Sequence, residues 1–78
     1  MSLMHLWDQA LMKVLPKYYQ QDASPQTLFR IKKDILSEMK EHIAISKDDA
    51  RHVKVQWLAD EKSVNLVVPP KLLTQTLH

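Results

Sequence analysis

The chain has 78 residues, no cysteine, no glycine and a net charge of +2. The missing cysteine excludes disulfides and thiolate metal sites, and the missing glycine excludes phosphate loops, dinucleotide fingerprints and the KH loop, which need glycine where backbone meets phosphate. None of the segments 1–24, 25–52 and 53–78 departs from neutrality by more than one charge, so the basic balance is a slight lysine excess and not the one-sided basic face of a nucleic-acid binder.

An apolar fraction of 45% with 26% charged residues is the composition of a globular domain. One core in so short a chain is marginal, and without disulfides self-association is the remaining way to reinforce it. The opening MSLMHLWDQALMKVL lacks the basic start and small-residue cleavage site of a secretory signal. No apolar run approaches the roughly 18 residues that a membrane span needs. A cytoplasmic protein is expected.

Residues 3–15 read as an amphipathic helix. Leu3, Leu6, Trp7, Ala10, Leu11, Val14 and Leu15 fall on one side, and His5, Asp8, Gln9, Met12 and Lys13 on the other. Pro16 ends it. Two uses of the apolar face stay open. It can cover a core or a dimer partner, or it can lie in a membrane interface through Leu3, Leu6 and Trp7, although Lys13 is the one cation of its polar face.

Residues 17–24 form a polar connector in which Tyr18 and Tyr19 are possible strand residues. Ser24 and Pro25 then mark a helix start, the serine as cap and the proline at the first helical position. This second helix is expected to run to about Ile43, with Leu28, Phe29, Ile31, Ile35, Leu36, Met39 and Ile43 in one apolar arc. Lys32 and His42 interrupt the arc. Lys32 either lays its stem along the core edge with its ammonium in water or meets an acidic group of a partner.

Ser46 caps a turn or a single helical turn. Val53, Val55 and Trp57 then alternate with Lys54, Gln56 and Leu58, and Val64, Leu66 and Val68 alternate with Asn65 and Val67. Both stretches read as strands, 53–58 and 64–68, joined by a loop over 59–63. Pro69 and Pro70 stop the second strand, and the tail from Lys71 is frayed or weakly helical. The expected fold is therefore α+β: an amphipathic N-terminal helix, and a longer helix packed on a small antiparallel hairpin. Two strands alone make no stable sheet, so a third strand or a dimer partner is needed, which is a second reason to expect an oligomer. The chain divides into a contact helix (1–16), a connector (17–24), an α-β-β dimerisation domain (25–70) and a tail (71–78).

Chemistry for catalysis is not apparent. Glu38 and His42 have a metal-compatible helical spacing but no third ligand. The carboxylate pairs Asp48-Asp49 and Asp60-Glu61 fall in turns, and a chain this short has little room for a deep pocket. The expectation is a protein-binding module with no cofactor, no metal and no catalytic residue.

The stretch DASPQTLFRIKKDIL (Asp22–Leu36) resembles the start of the topological specificity domain of the MinE family, bacterial regulators of division-site placement. That family continues the helix, turns, and closes with two strands ending in proline. Here Ile43-Ala44-Ile45-Ser46, Val53-Lys54-Val55-Gln56 and Asn65-Leu66-Val67-Val68-Pro69 follow in that order, so the resemblance covers roughly residues 10–69. The opening Met1–Trp7 is similar to the family's membrane-targeting segment, and Leu11, Val14 and Leu15 align with its segment that contacts the ATPase MinD.

The resemblance implies a homodimer whose central strands pair across a two-fold axis. The dimer or core positions would be Leu28, Ile31, Ile35, Met39, Val55, Trp57, Leu66 and Val68. It also implies partner contacts through Leu11, Val14, Leu15 and Lys32, stimulation of a MinD-like ATPase, and a peripheral location at the inner membrane. Ala10 stands where the family has a basic residue, and the membrane and contact segments are fused into one helix. Two other readings therefore stay open: a dimeric adaptor of phage or plasmid type with an unrelated partner, and a winged-helix DNA-binding module.

Overall fold

Two serines set where the central helices begin. Ser24 Oγ accepts from the Thr27 N–H at 3.2 Å, and Ser46 Oγ accepts from the Asp49 N–H at 3.1 Å. Each satisfies a backbone donor that the first helical turn leaves without a partner. The computed structural model describes residues 3–18, 24–58 and 63–74. Its elements in order are α1 (Leu3–Val14), a 3-10 turn (Leu15–Tyr18), α2 (Pro25–Met39), α3 (Lys47–Arg51), β1 (Lys54–Leu58), β2 (Ser63–Val67) and α4 (Pro70–Leu73). This is the expected α+β arrangement, with the N-terminal helix in place.

α1 stops before Pro16, and the chain tightens into the 3-10 turn. Tyr18 lies in that turn and not in a strand, which corrects one expectation; Tyr19 and the rest of the connector, 19–23, fall outside the described residues. α2 ends at Met39, four residues short of the expected end. With no glycine to adopt a left-handed stop, the chain unwinds through turn bonds. His42 N–H donates to the Met39 carbonyl at 2.9 Å, as does Ile43 N–H at 3.0 Å. Ile43 still enters the core.

β1 and β2 form a two-stranded antiparallel sheet with Val55 opposite Leu66, Gln56 opposite Asn65, and Trp57 opposite Val64. Residues directly opposite share a face, so Val55, Leu66, Trp57 and Val64 line one side of the hairpin. Val55 and Leu66 pack against the core, with Val68 just beyond the strand end. The connecting residues 59–62 fall outside the described residues.

One hydrophobic cluster joins these elements. Leu3, Trp7, Ala10 and Val14 from α1 meet Ile31, Ile35, Leu36 and Met39 from α2, then Ile43, Val53 and Leu72. Of the two forms expected for the tail, its first residues take the helical one: α4 begins with Pro70 at its first position and buries Leu72 completely, which the sequence did not mark as core. Phe29 is a correction. It was expected in the apolar arc of α2, yet it is 59% exposed. It sits at the edge of that arc, and Lys33 Nζ lies 5.8 Å from the centre of its ring, within cation–π range.

Candidate functional site

The residues with a proposed role in contacts divide into two groups, one on α1 and one on α2 with the hairpin. On α1, the membrane-contact candidates Leu3 and Trp7 are buried and Leu6 is half-buried; Trp7 is 0% exposed. Of the partner-contact candidates, Val14 is buried, and Leu11 and Leu15 are half-buried against the cluster. The apolar face of α1 is thus turned inward and covers the core. What α1 leaves outside is Met4, His5, Asp8, Gln9, Met12 and Lys13, four polar side chains and two methionines.

Two polar ties run from this N-terminal unit to α2. Lys13 Nζ meets Glu38 Oε2 at 3.2 Å, an exposed pair of small energetic weight. The Tyr18 hydroxyl donates to Asp34 Oδ2 at 2.6 Å, a short, charge-assisted bond of the stronger kind. That bond, with some desolvation, raises the Tyr18 pKa above its ordinary value of 10.0, because the carboxylate stabilises the protonated phenol. Trp7 carries a liability. Its Nε1–H is buried with no hydrogen-bond partner among the described residues, which costs about 1–3 kcal/mol.

On α2, Ile31, Ile35 and Met39 are buried core residues, while Leu28 is half-buried at its margin. Val55, Leu66 and Val68 are half-buried, and Trp57 is 43% exposed at the outer end of the hairpin face. Lys32 is half-buried and lines a groove between the first half of α2 and β1, shared with Pro25, Leu28, Phe29, Arg51 and Lys54. The sequence reading singled out Lys32 but missed Arg51 and Lys54. Charge counted along the chain could not join them, because the fold brings them together from α3 and β1.

Glu38 is spent on Lys13, and among the described residues no three His, Cys, Asp or Glu side chains gather where a metal could sit. No helix among the described residues is long and apolar enough to cross a membrane. Comparison of the chain with protein-family models, curated proteins and solved structures finds no match.

Proposed function

We propose that this chain is a non-catalytic, MinE-like regulator that works as a homodimer and stimulates a membrane-associated, MinD-like ATPase in division-site placement. The observation that carries the reading is the course of the chain after Ser24. The stretch that resembles the family folds as a capped helix, followed by a short helical turn and an antiparallel hairpin that closes at Pro69. On this reading the active site belongs to the partner. The protein is cytoplasmic, peripheral at the inner membrane, and presents Leu11, Val14 and Leu15 once α1 leaves the core. Leu3, Leu6 and Trp7, on the same helix, would then enter the lipid interface.

The dimer is assigned to the edge of β2 that faces away from β1 among the described residues. That strand, Ser63–Val67, carries no charge and no proline, the devices that usually keep an edge from pairing. Val67 is exposed beside it. Pairing β2 with its two-fold mate gives a four-stranded sheet and meets the need for more than two strands. Light scattering should report a dimer, and Val67→Lys or Asn65→Pro should give a folded monomer or a strongly weakened dimer.

The test of function is ATP hydrolysis by purified MinD with anionic vesicles, with and without this chain and with its Leu11→Glu variant. Stimulation by the parent, lost in a variant that keeps its helical circular dichroism, is the expected result. No stimulation by a folded, dimeric protein would discard the regulator and leave an adaptor with another partner. The DNA-binding alternative is weaker, since α3 has only five residues and carries Asp48 and Asp49 in its first turn, a poor recognition helix for a phosphate backbone.

A further inference from the structure

The groove between α2 and β1 includes Leu28, Val55 and Lys32, but it opens at the outer edge of β1, on the other side of the sheet from the β2 edge assigned to the dimer. We propose that it docks an acidic, extended segment of another protein, which adds to the free edge of β1 as a third strand. This inference does not depend on the MinE-like reading, and its test shares no readout with the ATPase assay.

Three observations support it. The sheet has the order β1-β2 among the described residues, so the outer edge of β1 presents backbone donors and acceptors to any strand laid beside it. The wall facing that edge is apolar: Pro25, Leu28 and Phe29 from α2, against Val53 and Val55. Phe29 stands at its lip, exposed, and lines a neighbouring hollow with Pro25, Gln26 and Arg30. Finally, the charge is of one sign. Lys32, Arg51 and Lys54 line the groove with no carboxylate among its lining residues, and Arg30 and Lys33 flank Phe29.

The charge selects the occupant. A second copy of this chain, docked groove to groove across a two-fold axis, would set these cations against their own mates, and like charges in apposition are unfavourable. A nucleic-acid backbone would satisfy the cations but leave the apolar wall without a partner. A strand alternating carboxylates with small aliphatic side chains satisfies both, since alternate residues of a strand face opposite sides. Its apolar side chains would face α2 and lie on Leu28, Phe29 and Val55. The carboxylates of its other face would meet Lys54, which the register of β1 puts on the face opposite to Val55, while Lys32 and Arg51 at the groove wall add attraction at longer range.

The probe is a synthetic peptide of alternating glutamate and valine, titrated into isotope-labelled full-length protein and followed by amide chemical shifts. Saturable shifts centred on Val53–Gln56 and on Leu28–Lys32 are expected below about 1 mM. Binding should weaken about tenfold in Lys54→Glu and fall again at higher salt. Phe29→Ala, at an exposed position that the fold does not need, should weaken it too. The proposal is overturned if the peptide produces no saturable shifts, or shifts only α1 or β2. It is equally overturned if a lysine-for-glutamate peptide binds as well. Tighter binding of an oligothymidylate at the same amides would assign the groove to nucleic acid. A change in oligomeric state in Lys54→Glu or Phe29→Ala would assign it to a second copy.

Discussion

Replacing Trp7 separates two contributions that a single side chain makes to the core. The indole is completely buried, and truncating a buried aromatic to alanine costs about 3–5 kcal/mol. A domain of this length has roughly 4–12 kcal/mol in total. Trp7→Ala also removes the orphaned Nε1–H, so the lower end, about 3 kcal/mol, is expected. Trp7→Phe keeps an aromatic ring in the site. It gives up about 1–2 kcal/mol of burial and packing and recovers about 1–3 kcal/mol by deleting a donor that has no acceptor. The phenylalanine variant should therefore lie between about 1 kcal/mol less and about 2 kcal/mol more stable than the parent. Urea unfolding followed by far-ultraviolet circular dichroism, at one protein concentration because association adds to stability, reads both variants. If phenylalanine costs as much as alanine, the indole N–H is partnered and the reasoning fails. If alanine costs almost nothing, α1 is not part of the core.

Removing the capping hydroxyl in Ser24→Ala should cost about 1 kcal/mol, read by the same unfolding experiment. Tyr18→Phe should cost a similar amount, about 1 kcal/mol for a partly solvated bond to a carboxylate. The parent's advantage over that variant should depend on pH in one direction. The folded-state pKa of Tyr18 is raised above 10.0, so the advantage is complete below pH 10.0 and is lost as pH rises through the folded value; a constant gap between the two proteins through that range would refute the link to Asp34. In a Trp57→Phe protein the remaining tryptophan is Trp7. Its emission should be blue-shifted while α1 is docked, and should change with anionic vesicles if the helix transfers to lipid.

Local signals carried most of the fold, and for identifiable reasons. Ser24-Pro25 and Ser46 marked helix starts because capping is a contact between residues three apart. The alternation in Val53–Leu58 and Val64–Val68 gave both strands to within one residue, since side chains on a strand alternate between two faces. What escaped was set by distant contacts. Leu72 stands in a short tail with no helical period to mark it, and its contact with the core beside α1 makes it a buried residue. Phe29 fits the helical period as well as Leu28 does, and its exposure follows from where β1 crosses α2. The Tyr18–Asp34 bond spans 16 positions, and neither partner has a neighbour in sequence that would suggest it. The groove is the plainest case, because Lys32, Arg51 and Lys54 belong to three elements.

The burial of α1 limits how any release of that helix can work. Its apolar face is the layer between α2 and α4, and undocking it uncovers Leu3, Trp7, Ala10 and Val14. Each large side chain among them contributes about 1.5–3 kcal/mol by burial, so the undocked state lies several kcal/mol above the docked one. The unpartnered Trp7 N–H lowers that gap, because an interfacial or aqueous setting supplies the acceptor that the core lacks. The exposed Lys13–Glu38 pair adds little to it. A partner that reverses such a gap must bind the undocked form about 10⁴-fold better than the docked one for a shift of about 5.5 kcal/mol. A lipid surface or an apolar groove on an ATPase meets that demand only by covering the same residues that the core now covers. On the proposed function, partner and core compete for one face of α1, and a substitution that weakens its docking without touching that face, Tyr18→Phe for example, would favour the partner.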